Sequence, residues 1–121
     1  LPLTVAGAYH SRLMEGACPK LEAALREVDL NLPAVPVISN VTAAPHATAG
    51  EILNRLVEQV TSPVRWEASI RRLIGEGFTR FIELGPGTAL TGFMRRIDRN
   101  LEVYNVADVE SLEKTVAALR D

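Results

Sequence analysis

Two spacings of apolar residues alternate along the chain, and each predicts a different element. Leu1 to Ala8 is a nearly continuous apolar run of strand type. After Ser11, which suits a helix N-cap, Leu13, Met14, Ala17, Leu21, Leu25 and Val28 recur at steps of one, three or four, the stripe of a half-buried helix. Pro19 interrupts that stripe, because a proline inside a helix removes a hydrogen bond and crowds the preceding turn. The helix is therefore expected to bend there or to begin nearer Cys18. Pro33 and Pro36 flank a β-branched run, and Val35 to Ser39 reads as a short buried strand followed by a polar loop from Asn40 to Gly50.

Helical spacing then returns. Ile52, Leu53, Leu56, Val57 and Val60 form one stripe, and Pro63, suited to a helix start, opens another through Val64, Ile70, Leu73 and Ile74, stopped by Gly75 and Gly77. Arg80 to Leu84 reads as a strand, Gly85-Pro86-Gly87 as the turn that ends it, and Ala89 to Ile97 as a helix with Thr88 as its cap. Leu101 to Val106 repeats the strand pattern, and Ser111 to Leu119 closes the chain as a helix with Leu112, Val116 and Leu119 on one side. Strands separated by helices require crossover connections, so the expected class is α/β, a mostly parallel sheet with helices on its faces.

Composition narrows the functional classes. With 121 residues, 47% hydrophobic and 23% charged, one compact unit is expected over residues 1–121, without an internal linker or repeat. A net charge of -2 and no isolated run of Lys or Arg argue against nucleic acid as a partner. No apolar run approaches the roughly 20 residues of a membrane helix, and the N-terminus has no secretion signal, so the chain reads as soluble and cytoplasmic. Cys18 is the only cysteine, and with His10 and His46 it makes a poor zinc set, so no metal site is expected. The chain begins without methionine, in what reads as a strand already under way, which is the pattern of a fragment.

His10 lies where the first strand passes into a helix, and the carboxyl ends of strands in parallel α/β sheets are where sites gather. An imidazole can take a proton from a hydroxyl near neutral pH and return it later. It needs a nucleophile beside it. Taken alone, His10 reads sooner as a polar loop residue, Gln59 as a solvated helix residue, and Asn40 as a structural turn-former after a strand.

Four blocks change that reading. Gly7-Ala8-Tyr9-His10-Ser11 with Leu13-Met14-Glu15, then Pro36 to Ala43, then Ser62-Pro63-Val64-Arg65-Trp66, then Glu83-Leu84-Gly85-Pro86-Gly87 with Leu90-Thr91-Gly92, stand in the order of one family. Together they resemble the C-terminal part of the malonyl-CoA:acyl carrier protein transacylases. The resemblance implies the last portion of the larger, hydrolase-like α/β subdomain of an acyltransferase. It also implies a serine and histidine pair, with malonyl-CoA and acyl carrier protein as partners and no cofactor.

His10 matches the histidine of that pair, and Gln59 matches the residue whose main-chain carbonyl orients the ring. The family's Gly-His-Ser-x-Gly segment, its carboxylate-reading arginine and its oxyanion glutamine have no counterpart here. The resemblance therefore implies that they belong to a preceding part of the same enzyme, and that this chain alone is inactive. Ala8-Tyr9 before His10 resembles the Ala-Phe-His form of malonyl-selective members more than the Ala-Ser-His form of methylmalonyl ones. Gly85-Pro86-Gly87 resembles the discrete enzymes more than the Gly-Pro-His of polyketide synthase domains, which remain the alternative.

Other readings compete for single motifs. Gly85, Gly87 and Gly92 fall at the wrong spacing for a dinucleotide loop, and no Lys-Ser/Thr pair follows as a phosphate-binding loop requires. Arg71, Arg72, Arg95 and Arg96 could form a basic face for docking an acidic carrier protein, as a non-catalytic module would, although Glu67, Glu76 and Asp98 stand near enough to offset them. Cys18 and Trp66 read as packing residues.

Overall fold

The proline that interrupts the first apolar stripe sets how that stripe folds. In the computed structural model, which describes residues 7–120, Ser11 caps a 3-10 helix, Arg12–Ala17, its hydroxyl accepting the Leu13 N–H at 3.3 Å. An α-helix, α1 (Cys18–Arg26), takes over with Pro19 in its first turn. No N–H donor is needed at that position, so the proline starts a helix that it would have broken further along. α1 packs against α2 (Ala49–Glu58). The start of α2 is a capping box. Thr48 Oγ1 accepts the Glu51 N–H at 3.1 Å, and the Glu51 carboxylate reaches back to the Ala47 N–H at 2.8 Å.

The buried strand expected over Val35 to Ser39 does not form. Pro36 has no N–H to offer a ladder, Ile38 makes only an isolated antiparallel bridge to Pro45, and Val35 is 74% exposed. A tight turn takes its place, with Ser39 donating to the Ala44 carbonyl and accepting from the Ala43 N–H, both at 2.9 Å. The strand expected over residues 1–8 falls mostly on residues 1–6, outside those described.

α3 (Trp66–Gly75) begins after Pro63 and not at it. The Arg65 N–H is occupied by the Asn40 carbonyl at 2.9 Å, and the Arg65 carbonyl then accepts the first helical bond, from Ser69. Gly77, at φ 93°, ends the helix in a Schellman turn: Phe78 N–H donates to Leu73 O and Gly77 N–H to Ile74 O, each at 3.0 Å.

The α/β expectation is met by β1 (Arg80–Leu84), α4 (Ala89–Ile97), β2 (Glu102–Val106) and α5 (Val109–Arg120). β1 and β2 pair in parallel from Arg80 opposite Glu102 to Leu84 opposite Val106, with α4 as the crossover and both α4 and α5 against β2. Arg80 bridges to Glu102 across the pair at 2.8 Å. The last helix starts ahead of Ser111 because Asp108 and Ser111 cap it reciprocally. Asp108 Oδ1 accepts the Ser111 N–H at 2.8 Å, and Ser111 Oγ accepts the Asp108 N–H at 2.9 Å.

Thr88, expected to cap α4, makes no capping bond with its side chain. Glu83 does so from the neighbouring strand. Its carboxylate accepts the Leu90 N–H at 3.1 Å, the Thr91 N–H at 2.9 Å and the Thr91 hydroxyl at 2.6 Å. Those bonds, the Thr91 hydroxyl first, hold the Glu83 carboxyl below the usual glutamate range.

Contacts gather the chain into two compact units, one ending at Ser69 and one starting at Ile70, where the sequence led us to expect one. The division falls inside α3, so no Pro- or Gly-rich linker could mark it. Buried apolar side chains are few among the described residues: Ala43 in the first unit, Ile70 and Met94 in the second. Much of the predicted apolar pattern stays uncovered, with Leu13 83% and Leu84 78% exposed. No described helix is long and apolar enough to cross a membrane.

The capping role of Glu83 makes a prediction. Glu83→Gln should lower the melting temperature of the chain at pH 7. A carboxyl whose folded pKa is depressed stabilises above its unfolded pKa of about 4.3 and loses that contribution as pH falls. The gap between wild type and variant should therefore begin to narrow as pH falls below about 4.3 and close as pH falls through the lower folded pKa in a thermal melt series, and a gap that never narrows would remove the charge from the explanation.

Candidate active site

The two residues singled out from the sequence meet in the first unit. His10 Nδ1 lies 2.8 Å from the main-chain carbonyl oxygen of Gln59, across 49 positions of sequence. Gln59 is the C-cap of α2, with its own N–H bonded to Arg55 O at 3.0 Å. The last carbonyls of a helix have no partner within it, so the Gln59 oxygen is free to accept. A carbonyl only accepts, and the ring nitrogen facing it must therefore carry the proton. Nε2 is left with its lone pair, as a proton acceptor must be.

Several bonds hold the ring at that place. His10 sits in the left-handed region at φ 57°, unusual for a side-chain-bearing residue. On its C-terminal side, the Ser11 hydroxyl donates to Ala8 O at 2.6 Å and the Ser11 carbonyl accepts the Met14 N–H at 2.9 Å. These bonds fix the bend that carries the chain from Ala8 into the 3-10 helix. His10 is exposed, so Nε2 is open to a partner.

A third residue joins the pair. Asn40 Nδ2 donates to Gln59 Oε1 at 3.2 Å. Asn40 reads from the sequence as a turn-former, and only the fold brings it to Gln59. A cavity of about 220 Å³, lined in part by Ile38, Asn40, His46, Arg55 and Gln59, lies against this pair.

The four candidate docking arginines do not act alike. Arg72 is ion-paired to Glu76 one turn on, at 2.7 Å, and Arg71 also has a partner. Arg95 and Arg96 instead line an open cleft of about 540 Å³ with Arg99 and Leu101. Arg99 stands four residues after Arg95 and three after Arg96, but it lies beyond the end of α4, which closes at Ile97. Cys18 is half-buried, its Sγ 3.9 Å from Val57 O, in keeping with a packing role.

No family model matches the chain. Individual relatives do. Over its full 121 residues it is 43% identical to the malonyl CoA-acyl carrier protein transacylase of Bacillus subtilis. It superposes on the crystal structure of the malonyl CoA-acyl carrier protein transacylase from Clostridium perfringens with a TM-score of 0.91 at 38% identity, over 99% of the chain. It also superposes on the malonyl-transacylase PlMCAT, solved in complex with the type II polyketide synthase acyl-carrier protein AntF, with a TM-score of 0.90 at 34% identity over 98% of the chain.

Fold and sequence thus align the chain with acyl-transferring enzymes of the α/β class. Within that class it is homologous to the malonyl CoA-acyl carrier protein transacylases, as the four sequence blocks implied. The chain spans 38% of the length of the Bacillus relative and 38% of the Clostridium one.

The hydrogen bond to Gln59 fixes a measurable property of His10. In the neutral ring, long-range proton–nitrogen NMR should find His10 mainly as the Nδ1–H tautomer. A dominant Nε2–H form would contradict the geometry.

Proposed function

We propose that this chain is the C-terminal portion of a malonyl-CoA:acyl carrier protein transacylase of fatty-acid synthesis, a cytoplasmic enzyme, and that His10 is its general base and acid. The observation that carries the reading is the Nδ1 bond to the Gln59 carbonyl, which leaves Nε2 as the only ring atom able to take a proton. Gln59 orients the ring through its main chain. The homology to transacylases supplies the reaction.

In this reading a serine from the preceding part of the enzyme gives its proton to Nε2 as its oxygen attacks the malonyl thioester carbonyl. The C–S bond breaks, and the imidazolium returns the proton to the departing CoA thiolate. A malonyl-serine ester remains. The phosphopantetheine thiol of the carrier protein then gives its proton to Nε2 and attacks the ester, and the proton passes back to the serine oxygen. One imidazole serves both halves because each begins by deprotonating a nucleophile and ends by protonating a leaving group. No cofactor is called for, since the thioester is already activated.

Two further observations support the reading. Exposed apolar side chains such as Leu13, Ile82 and Leu84 are what residues covered by the rest of a larger enzyme would present. The cleft of Arg95, Arg96 and Arg99 carries positive charge suited to an acidic carrier protein.

The test is the intact mass of holo acyl carrier protein after incubation with malonyl-CoA. The catalyst is this chain alone, then this chain fused behind the N-terminal portion of the Bacillus subtilis relative, then the fusion carrying His10→Ala. Malonylation is expected from the fusion only, and His10→Ala should slow it by about a hundredfold or more, the contribution typical of a positioned general base. Transfer by the chain alone would mean that it holds its own nucleophile, and a fully active His10→Ala fusion would end the assignment. In the same fusion, Arg95→Glu with Arg96→Glu should raise KM for the carrier protein while sparing hydrolysis of malonyl-CoA. Unchanged carrier binding would remove the docking role.

A further inference from the structure

We infer that Asn40 is a positioning residue for His10, acting through the side chain of Gln59, an inference that rests on the reading of His10 as the general base. The Gln59 carbonyl lies at the C-cap of α2, where no later turn of the helix donates to it. Beyond it the chain turns through two 3-10-type bonds, Val60 N–H to Val57 O and Thr61 N–H to Glu58 O, both at 3.2 Å. The aim of the carbonyl thus depends on what restrains Gln59 from outside the helix.

Asn40 supplies that restraint at both ends of the following segment. Its Nδ2 holds Gln59 Oε1 at 3.2 Å, and its main-chain oxygen holds the Arg65 N–H at 2.9 Å. The stretch from Gln59 to Arg65 is therefore tied to one residue at its start and at its end. A cavity of about 220 Å³ lies against Asn40 and Gln59, so on that side the bond to Asn40 is what meets the glutamine amide. Removing the Asn40 side chain leaves the main-chain bond to Arg65 in place and releases only Gln59. The effect on His10 is thereby separable from an effect on the loop.

A double-mutant cycle tests this, with Asn40→Ala, Gln59→Ala and the two combined. Gln59→Ala keeps the carbonyl that faces His10 and deletes only the amide that Asn40 grips. Two readouts are used: the His10 tautomer by proton–nitrogen NMR in this chain, and the pH profile and kcat of malonyl transfer in the fusion. Asn40→Ala should shift part of His10 to the Nε2–H tautomer and lower kcat about three- to tenfold, the factor that one modest hydrogen bond is worth. KM for malonyl-CoA should stay within about twofold, since no binding group is touched. In the Gln59→Ala background, Asn40→Ala should change neither readout further. Asn40→Asp should restore both, because a flipped Gln59 amide can donate to the new carboxylate.

Equal losses in both backgrounds, or an unmoved tautomer, would overturn the inference. If the fusion transfers no malonyl group, the functional reading fails while the NMR cycle still decides whether Asn40 sets the ring. If the fusion is active and the cycle is additive, the function stands and Asn40 has no part in it.

Discussion

Helix ends expose backbone groups that the helix cannot satisfy itself, and the partners of those groups fix this chain's important positions. At the C-terminus of α2 the Gln59 carbonyl is met by His10. At the N-terminus of α4 two N–H groups are met by Glu83 from the adjacent strand. α2 begins with Thr48 capping Glu51 and Glu51 reaching back to Ala47, and α5 begins in a reciprocal cap of Asp108 with Ser111. In each case a polar side chain turns a loose end into a fixed point. At α2 that fixed point is also where an imidazole is aimed.

The two long-range cases serve different ends. Glu83 belongs to stability: it joins β1 to α4 through three acceptor bonds, which explains a half-buried carboxylate on a strand whose apolar residues Ile82 and Leu84 remain exposed. His10 is held differently: it is exposed, sits in an unusual backbone conformation, and has one ring nitrogen bonded to a carbonyl while the other faces outward. Strain held by surrounding hydrogen bonds is common where a side chain must be presented and not packed.

The arginines illustrate how surroundings sort identical residues. Arg72 has a glutamate one turn away and is neutralised locally, while Arg95 and Arg96, at the end of α4, share an open cleft with Arg99. Sequence spacing treats these pairs alike, and only their neighbours in space separate them.

Periodicity by itself determined the α/β class, the bounds of β1 and α4, and the place where Pro19 lets an α-helix begin, because each rests on local backbone preferences that a few residues express. The four sequence blocks determined the homology and pointed to His10 and Gln59. Tertiary structure alone decided what depends on a partner distant in sequence. The β-branched run at Val35 found no ladder to join, α3 starts at Trp66 with the preceding Arg65 N–H held by Asn40, and Glu83 displaced Thr88 as the cap of α4. Asn40 belongs with these. Its side chain could have satisfied its own turn, and what it does instead depends on where the end of α2 comes to lie.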